Sequence, residues 1–432
     1  MSTNTIVIIL LVCMLVMFML KIPVYISMAL TGCALMFVTS GMKWSILSQY
    51  LYTGVNSFTL LSIPLFLLAA KLMNTGSITK KLFAFCMKVV GWLPGGLGHV
   101  NVLCSVVFAG MSGTAVSDAG GLGSIEIKAM NENGFDNDFS CCVTAASSTL
   151  GPIIPPSIPL VVYATVSGAS VGALFMAGII PGVVMALLMM AVVTIYAILR
   201  HYPRTKFPSG REFIHALKEG ILPLMAPVIL LVGIYGGVFT PTESAAVVVC
   251  YSLFLEIVVY KELTLHKFIM VLRETVRDSI TIALIIAGAT FFGYVATRAK
   301  IPQMILTGMT SIVHNKFMLL LIINVFLLII GCFLETASAI TIVVPLIMPL
   351  LKAYQINLTQ FGIIMVLNLM IGLLTPPFGL VLFVISKIGH ISIGRFSKAL
   401  VPWLIALLAA LLLVTFIPQL SLFLPTALGM SV

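Results

Sequence analysis

Residues 151–157 read Gly-Pro-Ile-Ile-Pro-Pro-Ser, and residues 372–378 read Gly-Leu-Leu-Thr-Pro-Pro-Phe. Both stretches interrupt long apolar segments, and in each a glycine is followed four residues later by a pair of prolines. Proline lacks an amide hydrogen and clashes with the preceding helical turn, so neither stretch can continue a regular α-helix. The regular spacing of the two stretches is the first indication that the chain contains a repeat.

Each position of the first copy corresponds to the position 221 residues later in the second copy, as 151 corresponds to 372. Four pairs of landmarks share that offset: Gly110 with Gly331, Ser117 with Ser338, Gly151 with Gly372, and Pro155-Pro156 with Pro376-Pro377. We therefore assign residues 1–200 to a first repeat and residues 221–432 to a second one. The polar segment 201–220 is predicted to be a cytoplasmic linker between them.

The composition excludes an ordinary soluble protein, because 60% of the residues are hydrophobic and only 8% are charged. Soluble domains carry about 25% charged residues. Apolar runs of the length needed to cross a bilayer recur along the chain. Clear examples are Ile6–Leu20, Pro23–Thr39, Val171–Leu199, Ile221–Gly237, Ser244–Tyr260, Phe317–Phe333 and Leu400–Phe416. Such runs satisfy their backbone hydrogen bonds in hydrocarbon as helices, so the sequence predicts an all-α polytopic membrane protein.

Two other segments are too long and too polar at their centres to be single crossings. Residues 97–128 contain Gly110-Met111-Ser112-Gly113-Thr114, and residues 317–352 contain Gly331 followed by Glu335. Irregular backbone at membrane depth is tolerated only where protein shields it from lipid. We therefore predict two re-entrant hairpins in these segments. Two broken helices are predicted as well, at residues 139–166 and 360–385.

The distribution of basic residues predicts how the chain lies in the membrane. Five crossings per half would place the halves in opposite orientations, which makes the repeat an inverted one. With the N-terminus outside, 18 of the 23 lysines and arginines fall on the inner side and 5 on the outer side, as the positive-inside rule requires. We predict a bacterial inner-membrane protein with both termini periplasmic, whose net charge of +10 reflects this bias and not nucleic-acid binding. Trp44, Trp92 and Trp403 are expected at the membrane interface.

Interrupted helices at corresponding positions of two inverted halves point to a transport site. Free carbonyl groups there can replace the water shell of a cation, and half-helix N-termini can bind an anion. Asp118 and Glu335 lie inside apolar segments, where an acidic residue is functional by default. A purely structural role, with Asp118 capping the hairpin, is the alternative. Oxygen ligands are abundant and no intramembrane histidine relay is present, so Na⁺ is favoured over H⁺ as the coupling ion.

The sequence offers little support for an enzyme. There is no Gly-x-x-x-x-Gly-Lys loop for ATP and no His-Glu-x-x-His motif for a metalloprotease. The eight cysteines show no ligand spacing and are interpreted as small apolar side chains. Thr242 is expected to cap a helix that has Glu243 in its first turn. The chain is predicted not to be an enzyme, and its energy source is predicted to be an ion gradient.

The sequence resembles the large membrane subunit of tripartite ATP-independent periplasmic (TRAP) transporters, the DctM family. Four motifs carry the resemblance in order along essentially the whole chain: residues 110–118, residues 151–157, residues 236–246 and the Glu335-Thr336 pair. The commonest form of the first motif has serine where this chain has Thr114, and alanine where it has Ser117. Both exchanges are between small residues and leave the resemblance intact.

The resemblance implies the elevator architecture of the ion-transporter superfamily, in which scaffold helices hold a mobile core containing both hairpins and both broken helices. It implies Na⁺-coupled import of a carboxylated solute, a periplasmic substrate-binding protein and a separate small four-helix membrane subunit. It places Na⁺ ligands, mostly carbonyl groups, at Ser112, Gly151, Ile154 and Pro156, and in the second half at Gly331, Gly372, Thr375 and Phe378. It places the substrate near Ser117, Asp118, Ser157, Thr336 and Ser338.

Two other interpretations of the sequence stay open. One is a stand-alone Na⁺/dicarboxylate symporter of the same superfamily, which neighbouring genes for a small subunit and a binding protein would argue against. The other is a membrane-embedded hydrolase with Asp118 and Glu335 as paired carboxylates, which would turn over its substrate in detergent without a gradient. The residues do not select among sialic acid, a C4-dicarboxylate and a sugar acid as the substrate.

Overall fold

A computed structural model of the chain describes residues 3–20, 22–38, 43–74, 78–313 and 315–430. Within these ranges every regular element is helical, which confirms the predicted all-α class. Two residues used in the predictions lie outside the described residues: Lys21, one of the lysines assigned to the inner side, and Thr39, the predicted end of a crossing.

The helices are numbered in chain order, and a short 3₁₀ turn precedes α4 while a π-helical turn follows α13. The first half contains α1 (Thr3–Met19), α2 (Val24–Val38), α3 (Ser45–Val55), α4 (Ser62–Met73), α5 (Ile78–Val90), α6 (Gly96–Ser112), α7 (Ala115–Gly121), α8 (Gly123–Glu132), α9 (Asn137–Ser148), α10 (Ile158–Ser167) and α11 (Val171–Arg200). The second half contains α12 (Gly210–Tyr235), α13 (Pro241–Phe254), α14 (Leu265–Arg298), α15 (Ile301–Thr310), α16 (Lys316–Gly331), α17 (Thr336–Ala353), α18 (Leu358–Gly372), α19 (Leu380–Ile388), α20 (Ile393–Ala399), α21 (Val401–Phe416) and α22 (Gln419–Ala427).

Helix boundaries recur at the offset found in the sequence. α7 begins at Ala115 and α17 begins at Thr336, so adding 221 to the first number gives the second, and the starts of α9 and α18 are related in the same way. The two Pro-Pro peptide bonds, Pro155-Pro156 and Pro376-Pro377, are both cis. Corresponding pieces of the two halves therefore adopt the same local structure around their interruptions.

The helices pack into two groups, and each group combines helices from both halves. In the outer group, α14 packs against α2, α3 and α4, while α13 packs against α4 and α12 packs against α5. In the inner group, α16 packs against α18, α11 packs against α21 and α22, and α10 packs against α17. The groups meet where α14 and α15 contact α17, and where α4 and α12 contact α6. α6, α7, α9 and α19 also belong to the inner group, because they pack against one another and α6 packs against α11. The inner group therefore holds all four interrupted segments.

The third crossing differs between the two halves. In the second half it is α14, a continuous helix of 34 residues that spans about 51 Å at 1.5 Å per residue. In the first half the equivalent residues form α3 and α4, which are bent by 56° around the 3₁₀ turn Thr59–Leu61. This break was not predicted from the sequence, although Gly54 near the end of α3 and Pro64 in the first turn of α4 are local signals for it.

The chain has the composition of a multi-pass membrane protein. Five described helices are long and apolar enough to cross a membrane, and the number rises to eight if each of three bent pairs counts as one span. The predicted interruptions lie where the sequence places them, since α6 ends at Ser112, α9 at Ser148, α16 at Gly331 and α18 at Gly372.

The predicted linker 201–220 is irregular only in its first half. α12 begins at Gly210, because Ser209 and Glu212 form a capping box that satisfies backbone amides on both sides of the helix start. The remaining positions of the linker therefore belong to the first turns of α12, ahead of its apolar part.

The cap of α13 also differs from the prediction. Thr240, and not Thr242, caps this helix, in a capping box with Glu243. The Thr242 hydroxyl instead donates to the carbonyl oxygen of Phe58 at 3.2 Å, beside the bend between α3 and α4. Thr242 therefore fastens the second half to the first at that bend.

Trp403 was expected at the membrane interface, and this prediction is wrong. Its side chain is 1% exposed, with its ring 5.9 Å from that of Phe139 and 6.5 Å from that of Tyr196. The reason is that α21 packs inside the inner group, against α9, α11 and α18. Trp44, in contrast, is 59% exposed, as an interfacial anchor needs to be.

Candidate functional site

The tip of the first hairpin contacts the first broken helix through backbone atoms. α6 ends at Ser112 and is capped by Gly113. Gly113 has φ +63°, a left-handed conformation that favours glycine. A Cβ atom at Gly113 would lie 2.8 Å from the carbonyl oxygen of Pro156, so glycine is also needed for this close approach. The amide of Ile158 donates to the Gly113 carbonyl oxygen at 3.3 Å. The two interruptions of the first half are thus packed together.

Oxygen atoms converge on Gly151 in this first half. A Cβ atom built on Gly151 would lie 3.4 Å from the carbonyl oxygen of Thr114, 3.5 Å from Oγ of Ser112 and 3.5 Å from the carbonyl oxygen of Ser148. Oγ of Ser112 is buried and has no hydrogen-bond partner within the described residues. Hard cations prefer oxygen ligands of this kind. The space in front of Gly151 therefore has the chemistry of a cation site.

The second half repeats this contact with even closer backbones. A Cβ atom on Gly372 would lie 2.4 Å from the carbonyl carbon and 2.7 Å from the carbonyl oxygen of Gly331. The Thr375 hydroxyl donates to the carbonyl oxygen of Ile371 at 2.8 Å, so it bonds back to the end of α18. The side chain of Phe378 is largely exposed. The second hairpin and second broken helix therefore meet at two glycines.

The side chains of the predicted Na⁺ ligands of the first half do not all lie close together. Ser112 and Gly151 face each other, and Pro156 lies against Gly113 at the hairpin tip. The side chain of Ile154 turns away and packs on Gly182 of α11. Within the described ranges no group of three or more His, Cys, Asp or Glu side chains could hold a metal ion. A cation here would rely on carbonyl and hydroxyl oxygens.

The predicted substrate residues lie at the caps or in the first turns of helices, and Ser157 is the cap among them. Ser157 is fully buried, and its Oγ donates to the carbonyl oxygen of Pro152 and accepts from the amide of Leu160. Ser157 thereby caps α10, which packs against α17 of the other half. Ser117, partly exposed, donates its amide to Oγ1 of Thr114 at 3.3 Å. These residues therefore mark helix N-termini, which favour negatively charged groups.

The second hairpin tip is capped by a carboxylate. Glu335 accepts from the amide of Ser338 at 3.2 Å and lies near the Ser338 hydroxyl at 3.5 Å, and Thr336 is the first residue of α17. Glu335 also lines a cavity of about 410 Å³ between the second hairpin, the second broken helix and α1. The other lining residues are almost all apolar: Phe18, Met19, Phe333, Leu334, Leu373, Phe378, Leu380 and Phe383.

Asp118 does not share the open side of the first hairpin tip. Its side chain is 1% exposed, whereas its neighbour Val116 is 39% exposed on the opposite side of α7. Asp118 faces α6 and α8, where the buried residues Asn101 and Glu126 also lie. Asn101 and Glu126 were not predicted from the sequence. The signal that could have found them is the spacing of Asn101 and Ser105, which places two polar residues on one side of an apolar helix.

One stretch, Gly168-Ala169-Ser170-Val171-Gly172, fits the Gly-x-Ser-x-Gly pattern of esterases by its letters. In those enzymes the serine stands on a sharp turn from a strand into a helix. Here Ser170 lies in the loop between α10 and α11, and its Oγ accepts from the amide of Ala173 at 3.3 Å. Ser170 is therefore the cap of α11 and not a nucleophile of that kind.

The comparisons with known proteins give the family. The family model "Tripartite ATP-independent periplasmic transporter, DctM component" matches residues 11–420. The chain belongs to the DctM family. Its homologues are named transporter permeases, so this DctM-family chain is a transporter protein and not an enzyme.

Two curated relatives show how far the similarity extends. The chain is 42% identical over 403 residues to the "Sialic acid TRAP transporter large permease protein SiaM" of Vibrio cholerae, covering 93% of this chain and 94% of the relative. It is 39% identical over 405 residues to the "C4-dicarboxylate TRAP transporter large permease protein DctM" of Pseudomonas aeruginosa, covering 94% and 95%. The resemblance read from the sequence motifs is thereby confirmed.

A solved structure has the same fold despite low identity. It is that of the Alcanivorax borkumensis YdaH transporter, with a TM-score of 0.63 and 14% identity over 86% of this chain and 87% of that chain. At this identity the likeness concerns the fold alone. The overall fold of this chain is therefore similar to that of a solved structure.

Proposed function

We propose that this DctM-family chain imports a small carboxylated solute together with Na⁺. The observation that carries the proposal is the convergence of the Thr114 and Ser148 carbonyl oxygens and the unpartnered Ser112 hydroxyl on Gly151. A buried hydroxyl without a partner is unfavourable, and a cation ligated by these three oxygens removes that cost. In the second half, Gly331 and Gly372 are the corresponding site.

The substrate is proposed to bind between the two hairpin tips. The half-helices α10 and α17 begin at the interruptions and pack against each other, so the positive ends of their dipoles favour a carboxylate bound beside them. Ser157 and Ser338 stand at or near these N-termini. Sialic acid is the first substrate to test, because the 42% identical relative is named for it, and C4-dicarboxylates and sugar acids follow.

Transport is proposed to follow an elevator mechanism. All four interrupted segments lie in the inner group of helices, so the ligands would travel with that group as one body. The outer group, built around α14, would remain fixed in the membrane. Substrate would be delivered by a periplasmic binding protein, and a small membrane subunit on a separate chain would complete the transporter, with both termini of this chain periplasmic.

The test is uptake by proteoliposomes that contain this chain and its small subunit. With the binding protein present, radiolabelled sialic acid should accumulate under an inward Na⁺ gradient and should not accumulate when choline replaces Na⁺. Uptake that is equal in the two media would contradict the proposal. Uptake that persists without the binding protein and the small subunit would instead favour the stand-alone symporter.

A matched pair of glycine variants connects this result to the site. Gly151→Ala should weaken the response to Na⁺, because its methyl group enters the space between the three oxygens. Gly394→Ala is the control, since nothing lies within 4 Å of a Cβ atom there. Equal Na⁺ dependence of the two variants would remove the cation site from the proposal.

A further inference from the structure

A chain of buried hydrogen bonds runs through the first half beside α7. Oγ of Ser105 donates to Oγ of Ser147 at 3.0 Å, and Ser147 donates to Oδ1 of Asn101 at 2.7 Å. The Asn101 amide donates to Oε2 of Glu126 at 2.8 Å and to Oγ1 of Thr144 at 2.7 Å. All five residues are buried inside the inner group. The chain of donors therefore ends on a carboxylate.

The donors of this network are fully used, yet acceptors remain. Thr144 gives its hydroxyl hydrogen to the carbonyl oxygen of Ser140, and both amide hydrogens of Asn101 are donated. Oε1 of Glu126 and both carboxylate oxygens of Asp118 have no hydrogen-bond partner within the described residues. The Ser105 hydroxyl lies within hydrogen-bonding reach of Asp118, but it has a single hydrogen, which is donated to Ser147. Three carboxylate oxygens are thus left without a donor.

The two carboxylates also lack a counter-charge. Asp118 and Glu126 are each 1% exposed, and the charge of Asp118 acts on the carboxylate of Glu126. Neither forms an ion pair with a basic residue in the described part of the chain. Two adjacent buried negative charges are very costly unless something positive binds between them.

The fold itself does not require acids at these positions. Adding the repeat offset of 221 to Asp118 and Glu126 leads to Ala339 and Ile347, which are buried in α17. The second half thus packs the equivalent places with apolar side chains. The second half has a neutral buried network, which includes the bond from Asn324 to Thr415, and its buried acid Glu256 lies on the π-helical turn after α13. The acids of the first half are therefore an addition to the repeat and not a packing need.

We propose that Asp118 and Glu126, with the hydroxyl oxygen of Ser105, form a third monovalent-cation site, which is filled by Na⁺ or by a proton. A cation between the carboxylates uses the three free oxygens and halves the buried negative charge. The site is separate from the oxygens around Gly151. This proposal rests on the proposed function, because the cation at this site is taken to be transported with the solute.

Other titratable groups face the site from the packed helices. The thiols of Cys86 and Cys104 are the nearest. Further residues on the same or neighbouring helices, at greater distance or at helix ends, are His99 on α6, Lys128 and Glu132 on α8, Asp138 on α9 and Lys387 on α19. Lys128 is largely exposed and ion-paired with Glu132 at 3.9 Å, so it does not neutralise the buried pair.

The test compares the purified two-subunit transporter with its Asp118→Asn, Glu126→Gln and doubly substituted variants. Thr415→Val is the matched control, because it breaks a buried polar contact in the second half and leaves the carboxylates intact. In one arm, ²²Na⁺ bound per chain at saturation is counted at fixed pH. In the other arm, solute uptake at saturating Na⁺ is measured across pH. Near-isosteric amides keep the volume of the site, and thermal unfolding checks that each variant is folded.

Each outcome decides the proposal. If Na⁺ fills the site, the double variant binds one Na⁺ fewer than the wild type and the Thr415→Val control does not. If a proton fills it, Na⁺ binding is unchanged and the pH profile of uptake becomes flat in the single and double variants. Variants that match the wild type in both arms would overturn the site while leaving the proposed function standing. A wild type that binds no Na⁺ and ignores its gradient would instead refute the proposed coupling ion, and the pH arm would still decide this site.

Discussion

Alanine at Gly372 and alanine at Gly151 should fail in different ways, and the distances at each glycine say why. The new Cβ atom at Gly372 would lie 2.4 Å from the carbonyl carbon and 2.5 Å from the Cα atom of Gly331. Both are backbone atoms, which no side-chain rotation can move. The second hairpin and the second broken helix would have to separate by about 1 Å to reach ordinary van der Waals distance.

The expected magnitudes follow from these contacts. Overpacking of this kind costs about 1–3 kcal/mol, and the rigid neighbours of Gly372 place its alanine variant at the upper end. That should lower Tm by a few degrees. At Gly151 the nearest atoms are oxygens at 3.4–3.5 Å, so alanine fits without strain. Its methyl group should instead occupy space that the cation needs, at a cost of about 1–3 kcal/mol, or roughly 5- to 150-fold in apparent Na⁺ affinity.

Two assays on the purified two-subunit transporter separate these effects. The first is thermal unfolding without Na⁺, in which Gly372→Ala should unfold earlier while Gly151→Ala matches the wild type. The second is the Na⁺ concentration that gives half-maximal uptake, which should rise for Gly151→Ala. Gly394→Ala should match the wild type in both assays. A Gly372→Ala protein with wild-type Tm and wild-type uptake would refute the claim that the backbones must touch there.

Three further substitutions test smaller features. Thr242→Val removes the bond to the Phe58 carbonyl oxygen. This should lower the free energy of unfolding by about 1 kcal/mol and so lower Tm slightly, whereas the same change at exposed Thr310 should leave Tm unaltered. Ser209→Ala should cost about 1 kcal/mol by removing the cap of α12, and a Ser209→Asp variant that fails to restore Tm would argue against capping as the cause. Tyr202 and Arg200 bond to Asp136 and hold the pKa of that carboxyl below its usual range. These bonds therefore stabilise the folded protein above about pH 4, and the stabilisation is lost as the pH falls through the lowered pKa. Asp136→Asn should therefore unfold earlier than the wild type at pH 7, the difference should shrink as the pH falls below about 4, and a constant difference across pH would exclude this linkage.

Much of the inner group could be predicted from the sequence, because proline and glycine act locally. A Gly followed by a Pro-Pro pair breaks a helix whatever surrounds it, and both broken helices are interrupted next to the predicted glycines. The constant offset of the repeat then carried the inference from one half to the other. The grouping of Ser112 with Gly151 was implied by the family resemblance, and the two residues face each other in the structure.

The parts that were missed depend on packing across the chain. The bend between α3 and α4 has local signals in Gly54 and Pro64, but what fixes it includes a bond from Thr242, far along the chain. The surroundings of Asp118 come from other helices, so no local pattern could assemble them. The burial of Trp403 depends on which face of α21 meets α11. Such features require the tertiary arrangement before a side chain can be interpreted.

The length of α14 also shows where the bilayer must lie. Its apolar part, residues 279–297, spans about 28 Å, close to the thickness of a hydrocarbon core. The preceding turns carry Arg273, Arg277 and Asp278, and Lys71 pairs with Asp278 at 2.7 Å. These charges limit how deep the outer group can lie in the bilayer, so lipids with longer or shorter tails should tilt this helix and, under the proposed elevator mechanism, alter the surface past which the inner group would move.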